Sequence, residues 1–436
     1  MARQPRTGQI RHMLQDRYGN ALATTSTTAR DRYVDGVDRF LAAMPGVEEA
    51  FEAAVAADDG FALGYAALAR TRQAMGMGGD TKTPMAAARA LASGLSAREA
   101  AHVEALGLLV AGNGPAAYKA IREHLLEHPR DAMVAQTCTG VFGMIGFSGK
   151  PGREAEQLAF TAALAPHYGE DWWFLCQHAF SQVEAGQTGP ATETIERSLA
   201  INPRNAHAAH IRSHVYYEAG ETGAGYRYID GWRRDYDKAG QLHCHISWHV
   251  ALWALEQGDV ETMWRVLDAD VAPDAAWGPP LNLVTDTASL LYRAELAGVA
   301  VPAERWKQVS DTAARIFPNP GIAFADVHAA LAHAMAGNGA ALAKIIADAK
   351  GPAGDLVRTL AESFRSIADG AWEAATGHLT RAMADHERIG GSRAQRDLVE
   401  YALLGALLKQ GRAAEARLLL ATRRPLKVGS NAVKGL

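Results

Sequence analysis

Between breakers, apolar residues return at intervals of three and four along almost the whole chain, as in YVDGVDRFLAAM and FALGYAALARTRQAMG. That interval is the helical one, and alternating or β-branched runs are few. The abundance of Ala, Leu, Glu and Arg agrees with it. The pattern therefore predicts an all-α protein.

The breakers recur as well. HPRD, APHY and NPRN place Pro129, Pro166 and Pro203 at steps of 37 residues (166 − 129 and 203 − 166). A second series, EAGQ, EAGE and EQGD, places Gly186, Gly220 and Gly258 at steps of 34 and 38. Glycine takes the left-handed conformation that ends a helix, so each marks a turn between two helices. Gly337, Gly370 and Gly411 extend that series. Helix, glycine turn, helix, proline, repeated every 34 to 40 residues, is the tetratricopeptide (TPR) arrangement with loose spacing. The expected fold is a TPR-like α-solenoid, a superhelix of antiparallel helix pairs around an enclosed concave channel. It reads as N-terminal helical repeats over residues 1–125, central TPR-like repeats over 126–280 and C-terminal TPR-like repeats over 281–436. The clearest units run over about 130–165, 168–202, 205–240 and 242–273, and GSNAVKGL at the end reads as a frayed tail.

Register then places the chemistry. In such a stack the first helix of each pair faces inward. His210 and His214 precede Gly220, and His245 and His249 precede Gly258, so both pairs fall on first helices. Each pair is four residues apart and shares one helical face. The next first helix carries Asp286, Tyr292 and Arg293, and the one after it Asp326, His328 and His333. His207 and His243 fit the register less well. A helical HxxxH resembles half of a zinc site, although HExxH is absent. The competing reading is that the imidazoles are packing residues satisfied by neighbours. Trp248 is either a packing residue or a wall of a ligand pocket. No GxGxxG, P-loop or GxSxG occurs, and the GGS at Gly390 to Ser392 is too short to be a phosphate loop alone.

Composition narrows the classes. Hydrophobic residues make up 48% and charged residues 21%, and the formal charge of −4 gives no electrostatic footprint for nucleic acid or an anionic membrane. Cys138, Cys176 and Cys244 are far apart and form no CxxC, which points to a reducing compartment. The first twenty residues lack an apolar core, and no run of 18 apolar residues occurs. A cytoplasmic protein is expected, with a homodimer left open.

Several segments carry a family resemblance: GNALATTSTTARDRYVDGVDRFL, AHIRSHVYYEAGE, HISWHVALWALEQGD, TDTASLLYRAELAGV, FADVHAALA and IGGSRAQRDLVEYALL. Together they resemble the tetratricopeptide repeat protein 38 family over nearly the whole chain. The GGSxAQRD element, absent from ordinary TPR domains, is its most specific part. The matching positions are His210, His214, His245, Trp248, His249, Asp286, Tyr292, Arg293, Asp326, His328, Gly390, Gly391, Ser392, Gln395, Arg396 and Asp397. The resemblance implies the fold and no particular activity.

Two functions remain. In one, the superhelix encloses a small-molecule pocket. His210, His214, His245, His249, Asp286, Asp326 and His328 would carry acid/base or hydrolytic chemistry there, with or without a divalent metal such as zinc. Trp248, Tyr292, Arg293, Gln395, Arg396 and Asp397 would hold the ligand. In the other, the protein is a non-catalytic scaffold that grips a protein or peptide on its concave face.

Overall fold

The computed structural model describes residues 13–427 and 431–436 of the chain. Among them are twenty-two α-helices and no strand, only an isolated antiparallel bridge between Gln15 and Ala21. None of these helices is long and apolar enough to cross a membrane. The chain divides into two compact units. One takes in residues up to Phe40, Gly46–Ala74 and Gly78–Ala135, and the other Leu41–Pro45, Met75–Met77 and Gln136–Leu436.

The larger unit is a stack of helix pairs in the TPR-like manner. Trp172–Glu184 pairs with Thr188–Ile201, Ala206–Glu218 with Thr222–Arg233, and His243–Glu256 with Val260–Val266. Pro280–Leu296 pairs with Ala303–Ile316, Ala323–Met335 with Gly339–Asp348, and Gly354–Ala368 with Trp372–Ala382. The turn glycines Gly186, Gly220 and Gly258 all have φ between 72° and 81°, the left-handed region the sequence pattern demands. Trp172–Glu184 packs on Ala206–Glu218, His243–Glu256 on Pro280–Leu296, Pro280–Leu296 on Ala323–Met335, and Ala323–Met335 on Gly354–Ala368.

Two first helices are buried nearly all round. Every residue of His243–Glu256 is buried, including three histidines and a glutamate. Ala323–Met335 is buried from Phe324 to Ala334. Such helices have no polar face, because they are covered on every side. A seventh first helix, Arg393–Lys409, closes on other members of the stack. It packs against Pro280–Leu296 and Ala206–Glu218, and its own first residue donates its backbone N–H to Glu184 at 2.8 Å.

The pattern misplaces some local features. Pro166 does not separate units; it lies inside Arg153–Tyr168, and Gly169 at φ 57° ends that helix. The unit at 130–165 lacks a full first helix. Short turns over Ala132–Ala135 and Gln136–Cys138 stand there instead. Val260–Val266 runs on into a π-turn, Leu267–Val271. Of the segment read as a frayed tail, Gly429 and Ser430 lie outside the described residues, and the remainder is docked. Val433 is buried, Lys434 donates its N–H to the Leu296 carbonyl at 2.8 Å, and Asn431 reaches the Glu256 carbonyl at 3.1 Å.

Candidate functional site

Ala206–Glu218 starts at an Asn205 cap and His243–Glu256 lies beside it in the stack. Spacing of four puts His210 and His214 on one face of the first helix and His245 and His249 on one face of the second, and these faces meet. Ring centroids are 4.5 Å apart for His210 and His214, 4.8 Å for His210 and His245, 4.9 Å for His214 and His249, and 5.0 Å for His245 and His249. One ring nitrogen from each of the four lies within 4.8 Å of the others. Nε2 of His210 and Nε2 of His214 are 2.9 Å apart.

The surroundings are dry. All four rings are buried, His249 to 1% exposure. Phe180 lies against His214 at 5.1 Å, Trp248 stacks on His245 at 5.3 Å, and Trp253 stands 6.1 Å from His249. Burial first, and then the neighbouring imidazoles, hold the pKa of His210 and His249 well below the ordinary value; burial and His245 lower His214 to about 3. His210, His214 and His249 are therefore neutral, each with a lone pair to give.

Second partners differ among the four. Asp286, on Pro280–Leu296, accepts from Nδ1 of His245 at 2.8 Å, which leaves Nε2 of that ring as the lone-pair atom. Asn282 touches the same carboxylate at 3.5 Å. His214 Nδ1 faces Glu184 Oε1 at 4.0 Å, beyond hydrogen-bond length, and neither atom has a hydrogen bond. His249 has no hydrogen bond at either nitrogen. Burial, helped by the Glu154 and Glu218 carboxylates and opposed by Arg396, raises the Glu184 carboxyl to about 7.

The remaining candidates from the sequence lie around this point or away from it. Trp248 packs against two of the rings. His328 is buried and donates from Nδ1 to the Phe324 carbonyl at 2.8 Å, and burial lowers it to about 4. Asp326 does not join the tetrad: it accepts the Gly321 N–H at 2.9 Å at the start of its own helix, and burial raises its carboxyl to about 6. Tyr292 packs edge-on against Phe364. Arg293 donates to the Ala394 carbonyl and lies over the Tyr401 ring at 5.1 Å.

The GGSxAQRD element is a docking device. Gly390 and Gly391 have φ of 93° and 75°, and Ser392 and Gln395 form a capping box that starts Arg393–Lys409. Arg396 bonds the Gly391 carbonyl and Glu154, Arg153 bonds the Gly391 and Glu387 carbonyls, and Asp397 accepts from the Tyr217 hydroxyl at 2.7 Å. Gln395, Arg396 and Asp397 thus hold this helix in place, and none of the three bonds an imidazole of the tetrad.

Two features were not read from the sequence. One is Glu184, which stands between His214 and Arg396. The other, in the smaller unit, joins His102, His124 and Asp131. Asp131 bonds His102 Nδ1 at 2.9 Å, His124 Nε2 at 3.0 Å and Arg98 at 3.0 Å. Burial works to raise the Asp131 carboxyl, but the two imidazoles outweigh it and hold it well below the usual range. The guanidinium on the same carboxylate already supplies the positive charge a metal would bring. This cluster is an ionic staple. The visible signal is slight: His124 shares a buried helix face with Ala117 and Ile121.

No family model matches the chain. Among solved structures, it is similar to human IFIT1 in a dimer with m7Gppp-AAAA, at 14% identity over 93% of this chain and 91% of that one, with a TM-score of 0.43. It is also similar to the P58(IPK) TPR domain, at 14% identity over 88% of this chain and 99% of that one, with a TM-score of 0.21. At these values neither likeness carries an argument about this chain's ligand or partner.

Proposed function

We propose that this TPR-like protein binds one divalent transition metal, zinc being the best fit, through His210, His214, His245 and His249. The observation that carries the reading is His249, buried with both ring nitrogens unbonded among three other imidazoles. Leaving such a buried polar atom unpaired costs roughly 1 to 3 kcal/mol, and ligation satisfies one of the two nitrogens. The residues fit the group. A tetrahedral ion with bonds of about 2.0–2.1 Å needs its ligand atoms roughly 3.4 Å apart. The four nitrogens already lie within 4.8 Å of one another, so small ring rotations bring them to that spacing.

Neutral imidazole suits zinc, copper, iron and nickel, and the absence of thiolate from the set disfavours copper(I). Asp286 on His245 is the carboxylate–histidine arrangement that fixes a ligand's ring and raises its basicity. Four protein ligands fill a tetrahedral shell and leave no position for water or substrate. That closure favours a structural or sequestering role over hydrolysis. The peptide-scaffold reading loses support where Arg393–Lys409 packs on Ala206–Glu218 and Pro280–Leu296. The test is metal content by elemental analysis of tag-free protein. One equivalent is expected, falling below a tenth in His249→Ala with the helical circular dichroism signal retained. Metal-free protein after growth and reconstitution with zinc would refute the reading.

A further inference from the structure

Glu184 closes the helix Trp172–Glu184, four residues after Phe180, so the two side chains share one face. That face meets His214. Phe180 packs on the imidazole at 5.1 Å, and Oε1 of Glu184 faces its Nδ1 at 4.0 Å. Glu184 is 2% exposed and His214 1%. Among the described residues neither Oε1 nor Nδ1 has a hydrogen bond. An unspent carboxylate oxygen and an unspent imidazole nitrogen thus stand opposite each other, both cut off from water and just beyond hydrogen-bond reach.

The other ends of both groups are occupied. Nε2 of His214 points into the tetrad, 2.9 Å from Nε2 of His210. Oε2 of Glu184 accepts the Arg393 backbone N–H at 2.8 Å, with the Arg396 guanidinium 3.9 Å away, so the carboxylate is held from the side away from His214. His245 has the same arrangement already closed, its Nδ1 donating to Asp286 at 2.8 Å. Trp172–Glu184 packs on the helix of His210 and His214, and Pro280–Leu296 packs on the helix of His245 and His249. Each histidine-bearing helix therefore has a neighbour that presents one buried carboxylate to one of its imidazoles.

An imidazole that gives its Nε2 lone pair to an ion carries its proton on Nδ1 and has to donate it. Imidazole ligands bring no charge, so a divalent ion in a dry site has to be matched by carboxylates close to the shell. Resting on the metal reading above, we propose that Glu184 is the positioning carboxylate of His214: it accepts the Nδ1–H when Nε2 takes the ion, and together with Asp286 it balances the ion's two charges. Because the same carboxylate holds the Arg393 N–H, the proposed metal shell and the start of Arg393–Lys409 meet in one residue.

The test is the zinc affinity of the full chain, by competition with a chelator, in the parent, Glu184→Gln and Glu154→Gln. Glu184→Gln keeps the size but has one acceptor oxygen for two donors, and is expected to weaken zinc binding about 10- to 100-fold. Glu154→Gln removes a carboxylate that bonds Arg396 on the same docked helix and no imidazole, and should leave the affinity unchanged. In nitrogen-15 NMR spectra of the zinc-loaded protein, the Nδ1–H signal of His214 should move upfield in Glu184→Gln while that of His245, bonded to Asp286, stays. A crystal structure of the zinc-loaded parent needs no variant: Nδ1 of His214 and Oε1 of Glu184 should lie at or below about 3.2 Å. Parent-like affinity in Glu184→Gln, equal weakening in Glu154→Gln, an unmoved His214 signal, or a gap still at 4.0 Å with zinc bound would overturn the proposal and leave the four-imidazole site standing. A parent that takes up no zinc would refute the metal reading itself, and this proposal with it.

Discussion

At the scale of single residues, the account turns on what each buried polar atom is bonded to. Spacing alone brought four imidazoles onto two facing helix surfaces, so the tetrad was legible from the sequence. Its supports were legible only in part. Asp286 follows from the same register, but Glu184 comes from a first helix with no histidine pair, and no spacing marks it. Asp326 shows the opposite failure: register puts it on a first helix, yet its carboxylate turns to the Gly321 N–H. Asp286→Asn should weaken metal binding about 10- to 100-fold through loss of the carboxylate on His245, as measured by competition with a chelator of known affinity. Asp326→Asn tests a different contribution. Its carboxyl pKa is raised from 3.8 to about 6, so the folded state holds the proton more tightly than the unfolded chain. That stability is fully present below 3.8 and is lost as pH rises through about 6, on the order of 3 kcal/mol in all. The asparagine variant keeps the acceptor for Gly321. Urea unfolding at pH 4 and pH 7 should show the variant losing less stability across that interval than the parent.

At the scale of elements, the helix-pair rhythm was legible because glycine turns with positive φ recur at each hairpin. The place of the last inner helix was not. Periodicity fixes which face of Arg393–Lys409 is apolar, but its docking depends on bonds to residues up to 242 positions away, Arg396 to Glu154, and on Arg153 to the Gly391 carbonyl. Nor could proline serve as punctuation everywhere, since Pro166 is accommodated inside a helix. The GGSxAQRD element gives the sharpest test. A Cβ at Gly391 would stand 2.4 Å from the Phe324 ring, in a backbone conformation that L side chains rarely adopt. Gly391→Ala should cost about 2–4 kcal/mol by strain and overpacking together. Ser392→Ala, which removes only the capping box, should cost about 1 kcal/mol. Denaturant midpoints of the two variants, compared at equal slope, check the ranking.

At the scale of the molecule, the proposed ion and the fold would support each other. A ligand that binds only the folded state at a thousand times its dissociation constant adds about 4 kcal/mol. Removing zinc with a strong chelator should therefore lower the melting temperature by several degrees, and restoring zinc should recover it; calcium, which prefers oxygen ligands, should not. The central claim is narrower than any stability change: four imidazoles hold one ion. Zinc-edge X-ray absorption on tag-free protein addresses it directly. The account predicts a single shell of four nitrogen neighbours at about 2.0–2.1 Å, with the outer scattering of imidazole rings and no sulfur. A sulfur shell, an oxygen-dominated shell, or the same spectrum from a variant lacking His210, His214, His245 and His249 would contradict it.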